Sequence, residues 1–312
     1  MSSAIALRVV ALSCSLVLAV GGGQASAARQ ATAGGAVDPD RTVYPLDAFE
    51  LTEPELQVAG GARYLLTREC VHRFGAGLPA RHQGRLGASR ADRYGLADEV
   101  TARTWAYSLD APPRTTPPWE LEIDSRSSLY PIVNGVDADG HPARLTGLPD
   151  GGCRAAANRV LERDTGAVGK SPVPELDRRA WQASRQDPAV REAADGWKRC
   201  MAGAGLGYAD PVEAPYFHWF AKRMAANPRP SEEQRRDGIR PTGEERRAAL
   251  EDVRCKRDSG FLVVWVAADQ AAQRNLVVAE RERLTAYRHA LDRLVHNATQ
   301  VLAAGDAAAA GN

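Results

Sequence analysis

The chain has 312 residues, with 40 Lys+Arg against 39 Asp+Glu, and a formal net charge of +1. That balance supplies no field to draw the protein to nucleic acid or to an anionic membrane. Leu, Ile, Val and Phe make up only about a fifth of the residues, which sits at the composition edge of disorder. The near-zero charge argues for a folded chain with a thin, Ala-rich core that needs other support. Only four of the basic residues are Lys (Lys170, Lys198, Lys222 and Lys256), a bias consistent with high-GC codon usage.

The N-terminus reads as an export signal. Arg8 precedes an apolar stretch, Val9 to Val20, and Ala25-Ser26-Ala27 offers an A-x-A cleavage site. The stretch is shorter than the roughly 20 apolar residues a membrane span needs. Cys14 lies inside the apolar stretch and is read as part of it, not as a lipidated residue. The organisation expected is a signal peptide at 1–27, a flexible leader at 28–44, one mainly helical domain at 45–303, and a disordered tail at 304–312. No transmembrane segment is expected in the mature chain.

Four cysteines remain after export: Cys70, Cys153, Cys200 and Cys255. An even count in an exported chain favours two disulfides, and four cysteines allow three pairings. Cys70 with Cys153 and Cys200 with Cys255 is the expected pairing, because each bond then ties neighbouring helices. Loops of these lengths give about 4–5 kcal/mol each on the chain-entropy account. No C-x-x-C occurs, so no metal site is expected.

The first strong helix signal is at Thr52. Thr52 and Glu55 form a capping box with Pro54 in the first turn, Leu56 to Cys70 recur at helical spacing, and Gly75 and Gly77 end the run. Arg81, Arg85, Arg90 and Arg93 make an Arg-rich stretch, best read as a solvated face paired with acids. A short helix is expected between Leu96 and Trp105. From about 108 to 152 periodicity gives way to Pro and Gly punctuation, with a small hairpin expected from Trp119–Ile123 and Tyr130–Val133.

Helices return at 154–164 and 175–185. Asp187-Pro188 and Asp210-Pro211 each read as an N-cap followed by Pro at the first helical position. Ser231 with Gln234 and Thr242 with Glu245 give two more capping boxes. From Phe261 to Leu302 there is neither Pro nor Gly, so one rod of about 63 Å is expected. Leu284, Tyr287, Leu291, Leu294, Ala298 and Val301 are spaced as a coiled-coil seam. That seam packs on the chain's own helices or on a partner, a homodimer included.

Several local patterns occur together: Y-P-L-D-A-F-E-L-T (Tyr44–Thr52), R-Y-G-L-A-D (Arg93–Asp98), L-P-D-G-G-C (Leu148–Cys153), W-K-R-C-M (Trp197–Met201), G-Y-A-D-P (Gly207–Pro211) and D-V-R-C-K (Asp252–Lys256). The chain resembles, from about Tyr44 to Leu302, a group of uncharacterised exported proteins and lipoproteins of actinobacteria. The resemblance implies an exported, helical, Cys-containing protein and carries over no catalytic residue. The group's lipoprotein character does not carry over either, since a lipobox is missing.

No H-E-x-x-H, G-x-S-x-G, P-loop or strand-linked G-x-G-x-x-G occurs. Gly203, Gly205 and Gly207 follow a helix and read as its C-cap. Asp137-Ala138-Asp139-Gly140 reads as a turn, because an EF-type loop would need an acid and a Glu where Gly135 and Thr146 stand. His289 and His296 are two turns apart, too far to share one metal, and Asn297-Ala298-Thr299 matches a glycosylation sequon inside a strong helix. No pattern calls for a cofactor. The most concentrated aromatic feature is Tyr216-Phe217-His218-Trp219-Phe220. Tyr216, His218, Trp219 and Phe220 are the candidate binding residues, either as a core anchor or as a stacking surface for sugar or peptide. Two functions follow as expectations: a non-enzymatic envelope or secreted protein acting through protein contacts, or a binding module for cell-wall glycan or peptide.

Overall fold

A computed structural model describes residues 37–79, 93–108, 123–166, 171–227 and 240–310, with side chains to 305. The chain divides into Met1–Gly35 and Ala36–Asn312, and every described residue lies in the second unit. The segment expected to be an export signal, Arg81, Arg85 and Arg90, most of Trp119–Ile123 and the expected Ser231/Gln234 capping box fall outside the described residues.

The fold is mainly α-helical, as the periodicity predicts. Among the described residues a 3-10 helix, Pro45–Phe49, precedes ten α-helices. They are α1 (Glu53–His72), α2 (Glu99–Thr104), α3 (Leu129–Asn134), α4 (Gly152–Leu161), α5 (Val173–Ser184), α6 (Pro188–Gly203), α7 (Glu213–Ala226), α8 (Gly243–Asp258), α9 (Phe261–Ala279) and α10 (Arg281–Ala310). Among the described residues no strand forms; an isolated antiparallel bridge pairs Val136 with Pro142.

The caps follow the local chemistry. The Thr52 N–H donates to Glu55 Oε2 at 2.7 Å, completing the capping box of α1. Asp187 Oδ1 accepts from the Ala189 N–H at 2.8 Å with Pro188 opening α6. Gly205, with φ +76°, closes α6, so the glycine run is the C-cap expected.

Four expectations shift. Tyr130–Val133 belongs to α3, not to a hairpin strand: Pro131 sits in the first turn, where its missing N–H is not needed, and Gly135 (φ +73°) ends the helix. The leader is shorter than expected: Val37 packs against a core cluster and Tyr44 is buried. The chain stays helical past 304 to Ala310, and Gly305 lies where a Cβ would come within 2.7 Å of Leu65 Cδ2. The long C-terminal rod breaks at Glu280 (φ −107°, ψ 22°). The break has a tertiary cause: α9 packs on α5 and α6, whereas α10 packs on α1, so the two halves follow different neighbours.

Two disulfides staple these layers. Cys70–Cys153 joins α1 to α4 and Cys200–Cys255 joins α6 to α8, each with a Cα–Cα distance of 5.6 Å. This is the expected pairing. Cys70 and Cys153 pack with Val71 and Val133; Cys255 packs with Trp197 and Met201. No helix among the described residues is long and apolar enough to cross a membrane.

Candidate functional site

α8 carries charge into the core. Its buried stripe is Glu245, Ala248, Ala249, Asp252, Cys255 and Lys256. The Thr242 hydroxyl caps the helix by accepting from the Glu245 N–H at 3.1 Å. The Glu245 side chain does not return to complete the expected box; it turns inward. Ala248 and Ala249 leave room for Tyr107 to lie against the helix.

Asp252 and Lys256, one turn apart, are both wholly buried. Asp252 Oδ1 accepts from the Trp197 indole N–H at 2.8 Å and Oδ2 accepts from the Tyr107 hydroxyl at 3.1 Å. Lys256 Nζ lies 3.2 Å from each of the two carboxyl oxygens and donates to the Leu96 carbonyl at 2.8 Å. Burial pushes the Asp252 carboxyl above the usual carboxylate range, against the opposing pull of Lys256. Burial likewise lowers the Lys256 amine, against the opposing effect of Asp252. The Tyr107 hydroxyl is driven far up by burial and by Asp252 beside it.

Gly95 closes this centre. Its φ is +76°, and a Cβ there would stand 2.8 Å from the Pro211 carbonyl oxygen and 2.9 Å from Lys256 Nζ. Four of the sequence patterns therefore meet at one point. Gly95 and Leu96 come from R-Y-G-L-A-D, Trp197 from W-K-R-C-M, Pro211 from G-Y-A-D-P, and Asp252 and Lys256 from D-V-R-C-K. The centre brings a dry acid and a dry amine together, with a donor on each carboxyl oxygen.

α7 lies beside it. Arg223 forms a buried pair with Glu245 and donates to the Tyr107 carbonyl at 3.2 Å; the Tyr107 N–H reaches Glu245 Oε1 at 3.3 Å. Glu245 Oε2 is buried with no hydrogen-bond partner among the described residues. Trp219, 2% exposed, donates to the Tyr208 hydroxyl at 2.9 Å. Tyr216 meets Tyr107 edge-on at 5.3 Å.

The candidate stacking set is thus divided by the helix. Tyr216 and Trp219 face the core, so Trp219 cannot offer a ring to a ligand. His218 and Phe220 face outward. The outward stripe is instead Phe217 (66% exposed), Phe220 (48%) and Met224 (41%), at i, i+3 and i+7. Met224 is the residue that reading the aromatic run alone misses; the helical spacing is the signal that finds it. Lys222 spans the flank, 4.5 Å above the Trp219 ring and 2.8 Å from Glu244.

A second charged cluster ties the 3-10 helix to α5 and α9. Arg93 pairs with Asp177 at 2.6 Å and with Asp269 at 3.0 Å. Tyr94 donates to Asp269 at 2.6 Å and lies 3.0 Å from the Tyr44 hydroxyl. Gln273 donates to Asp177 at 3.1 Å and accepts from the Leu46 N–H at 3.2 Å. Burial raises the Asp269 carboxyl despite Arg93. Arg93, expected on a solvated face, is a clasp residue.

The partner seam requires correction. Leu284 packs with Leu46, Val173 and Leu176, and Tyr287 lies against the same cluster. Leu294 and Ala298 pack with Ala59, Ala62 and Leu161, and Leu291 is buried as well. The 3-10 helix and α5 cover the Leu284 end and α1 and α4 cover the Leu294 end, so these positions present no free seam to a partner or second copy. Asn297 donates to the carbonyls of Leu161 (2.9 Å) and Arg163 (2.8 Å), finishing α4. Its sequon amide is thereby engaged in the fold. Asp137, Asp139 and His141 bring their ligand atoms within 4.8 Å of one another on an exposed loop. Asp137 Oδ1 accepts the N–H groups of Asp139 (3.0 Å) and His141 (2.9 Å), the bonding of an Asx-type turn. His289 and His296 are exposed on α10.

No protein family, curated protein or solved structure matches the chain.

Proposed function

We propose that this is an exported, non-enzymatic envelope or secreted protein that works by binding another protein through the outer face of α7. The observation that carries the reading is the stripe of Phe217, Phe220 and Met224 on a helix whose opposite face is fastened by Trp219 and the Arg223–Glu245 pair. Large apolar side chains at i, i+3 and i+7 are the anchors of helix-in-groove recognition. The partner is accordingly a protein that offers an apolar groove.

Export is supported by the N-terminal pattern ending at Ala27 and by two disulfides, which form and persist in oxidising compartments. The resemblance to exported actinobacterial proteins points the same way. The buried acids and bases described above are engaged in holding helices together, which supports a non-enzymatic role.

Wall glycan is the alternative ligand, and one experiment separates the two. Oxidised mature protein is sedimented with envelope from the encoding organism, with and without its wall proteins stripped. Pelleting only with unstripped envelope, abolished by Phe217→Ser/Phe220→Ser, is expected. Equal pelleting with stripped wall would replace the protein partner by glycan or peptide. For export, N-terminal sequencing of secreted protein should begin at Ala28; retention of residues 1–27 in a cytoplasmic product would overturn it.

A further inference from the structure

The chain has 3 methionines, Met1, Met201 and Met224. Met1 lies in the segment proposed to be removed on export. The other two stand in opposite surroundings. Met201, on α6, is wholly buried and packs with Trp197 and Cys255. Met224, on α7, is exposed and ends the outward apolar stripe. It follows Phe220 by one turn and Phe217 by two, so the three side chains share one helix face. The inner face of α7 is held by Trp219 and the Arg223–Glu245 pair. Chemistry at Met224 therefore alters the outer surface without touching the contacts that seat the helix.

We propose that Met224 is an oxidation site that switches off docking through α7: conversion of its thioether to the sulfoxide releases the partner. The proposal rests on the reading that α7 seats its stripe in an apolar groove of another protein. The oxidant is a peroxide. A sulfur lone pair attacks one peroxide oxygen and forms the S–O bond while the O–O bond breaks. The departing hydroxide takes the proton of the new S–OH group and leaves as water. Sulfur gives up two electrons and the peroxide accepts them. A thioether is apolar, adapts its shape to a groove and makes favourable contacts with aromatic rings. The sulfoxide is polar and chiral. In a dry groove its oxygen loses water without gaining a donor, which opposes docking. Sulfoxides are reduced back enzymatically, so the switch can be reset. Burial shields Met201 from the same oxidant, so the face is altered while the α6 core is spared.

The test treats folded mature protein with dilute hydrogen peroxide, removes the peroxide, maps the product by peptide mass and sediments it with unstripped envelope. One added oxygen is expected, on Met224 and not on Met201, with an unchanged melting temperature. Apparent affinity for the envelope should fall by about tenfold or more, the effect of taking one buried apolar side chain out of an interface. Met224→Leu keeps an apolar side chain without the sulfur and should pellet like untreated wild type, before and after peroxide. Met224→Gln should pellet weakly with no peroxide at all. Three results overturn the switch while leaving docking through α7 intact. They are oxygen on Met201 ahead of Met224, oxidised wild type that pellets as fully as untreated, and treated Met224→Leu that loses pelleting. Untreated wild type that never pellets overturns docking through α7 itself, and the switch with it.

Discussion

Arg223 on α7 and Glu245 on α8 form a buried ion pair in which the carboxylate also takes the Tyr107 N–H. This one contact fixes how α7 is rolled, and so which residues face out. With Arg223 and Trp219 turned inward, Phe217, Phe220 and Met224 are left on the surface.

Removing one partner of a buried pair strands the other. Arg223→Ala is therefore expected to cost about 3–5 kcal/mol. The loss should be local before it is global, since the pair holds α7 more than the rest. Hydrogen exchange should speed up first along α7. Unchanged exchange there would mean that Trp219 alone seats the helix.

Gly95 allows the backbone turn and the approach of Lys256 together. Gly95→Ala combines a positive φ with contacts to Pro211 and Lys256 inside 3.0 Å. Gly140→Ala meets the same kind of φ (+85°) with nothing within 4 Å. Thermal melts should show a larger drop for Gly95→Ala, the φ strain common to both being about 1 kcal/mol or more. Equal drops would show that the close approach is not tight.

The apolar seam of α10 belongs to the core. Leu291→Ala should cost about 2–5 kcal/mol, and Leu291→Asp more, because it buries an unpaired charge. Urea midpoints check this. A Leu291→Asp protein that keeps wild-type stability would return the seam to the surface.

Glu55 gives the fold an acid-sensitive clasp. Partial burial raises its pKa, but the Thr52 N–H and hydroxyl and Arg288 outweigh that, holding it below the ordinary 4.5. A carboxylate lowered on folding contributes stability fully above about pH 4.5, and that contribution is lost as pH falls through the folded value. Glu55→Gln should thus be less stable than wild type at neutral pH, and the gap should close in acid. A gap that is constant with pH would remove ionisation from the account.

Much of this architecture is legible locally. Thr52 with Glu55, and Asp187 with Pro188, signal helix starts because the bonds that satisfy the first N–H groups come from within three residues. The disulfides are legible as a need: few large aliphatics and, beyond Cys14, an even set of cysteines. The break at Glu280 is not, because no Pro or Gly marks it and its cause lies in α1 and α5, far along the chain. Periodicity identifies the apolar face of Leu284, Leu291 and Leu294 but not what covers it. The charged core hides for the opposite reason. Hydrophobic patterning places Asp252, Lys256 and Asp269 outside, and only partners distant in sequence (Leu96, Trp197, Tyr94) make their burial tolerable.

Binding through α7 is the central claim, and the most direct measurement compares wild type with Phe217→Ser/Phe220→Ser in sedimentation with unstripped envelope. Both changes are on exposed side chains, so equal melting temperatures are expected and serve as the control. The account predicts that wild type pellets and the double variant stays in solution. A folded double variant that pellets as fully as wild type, or a wild type that never pellets, would contradict it.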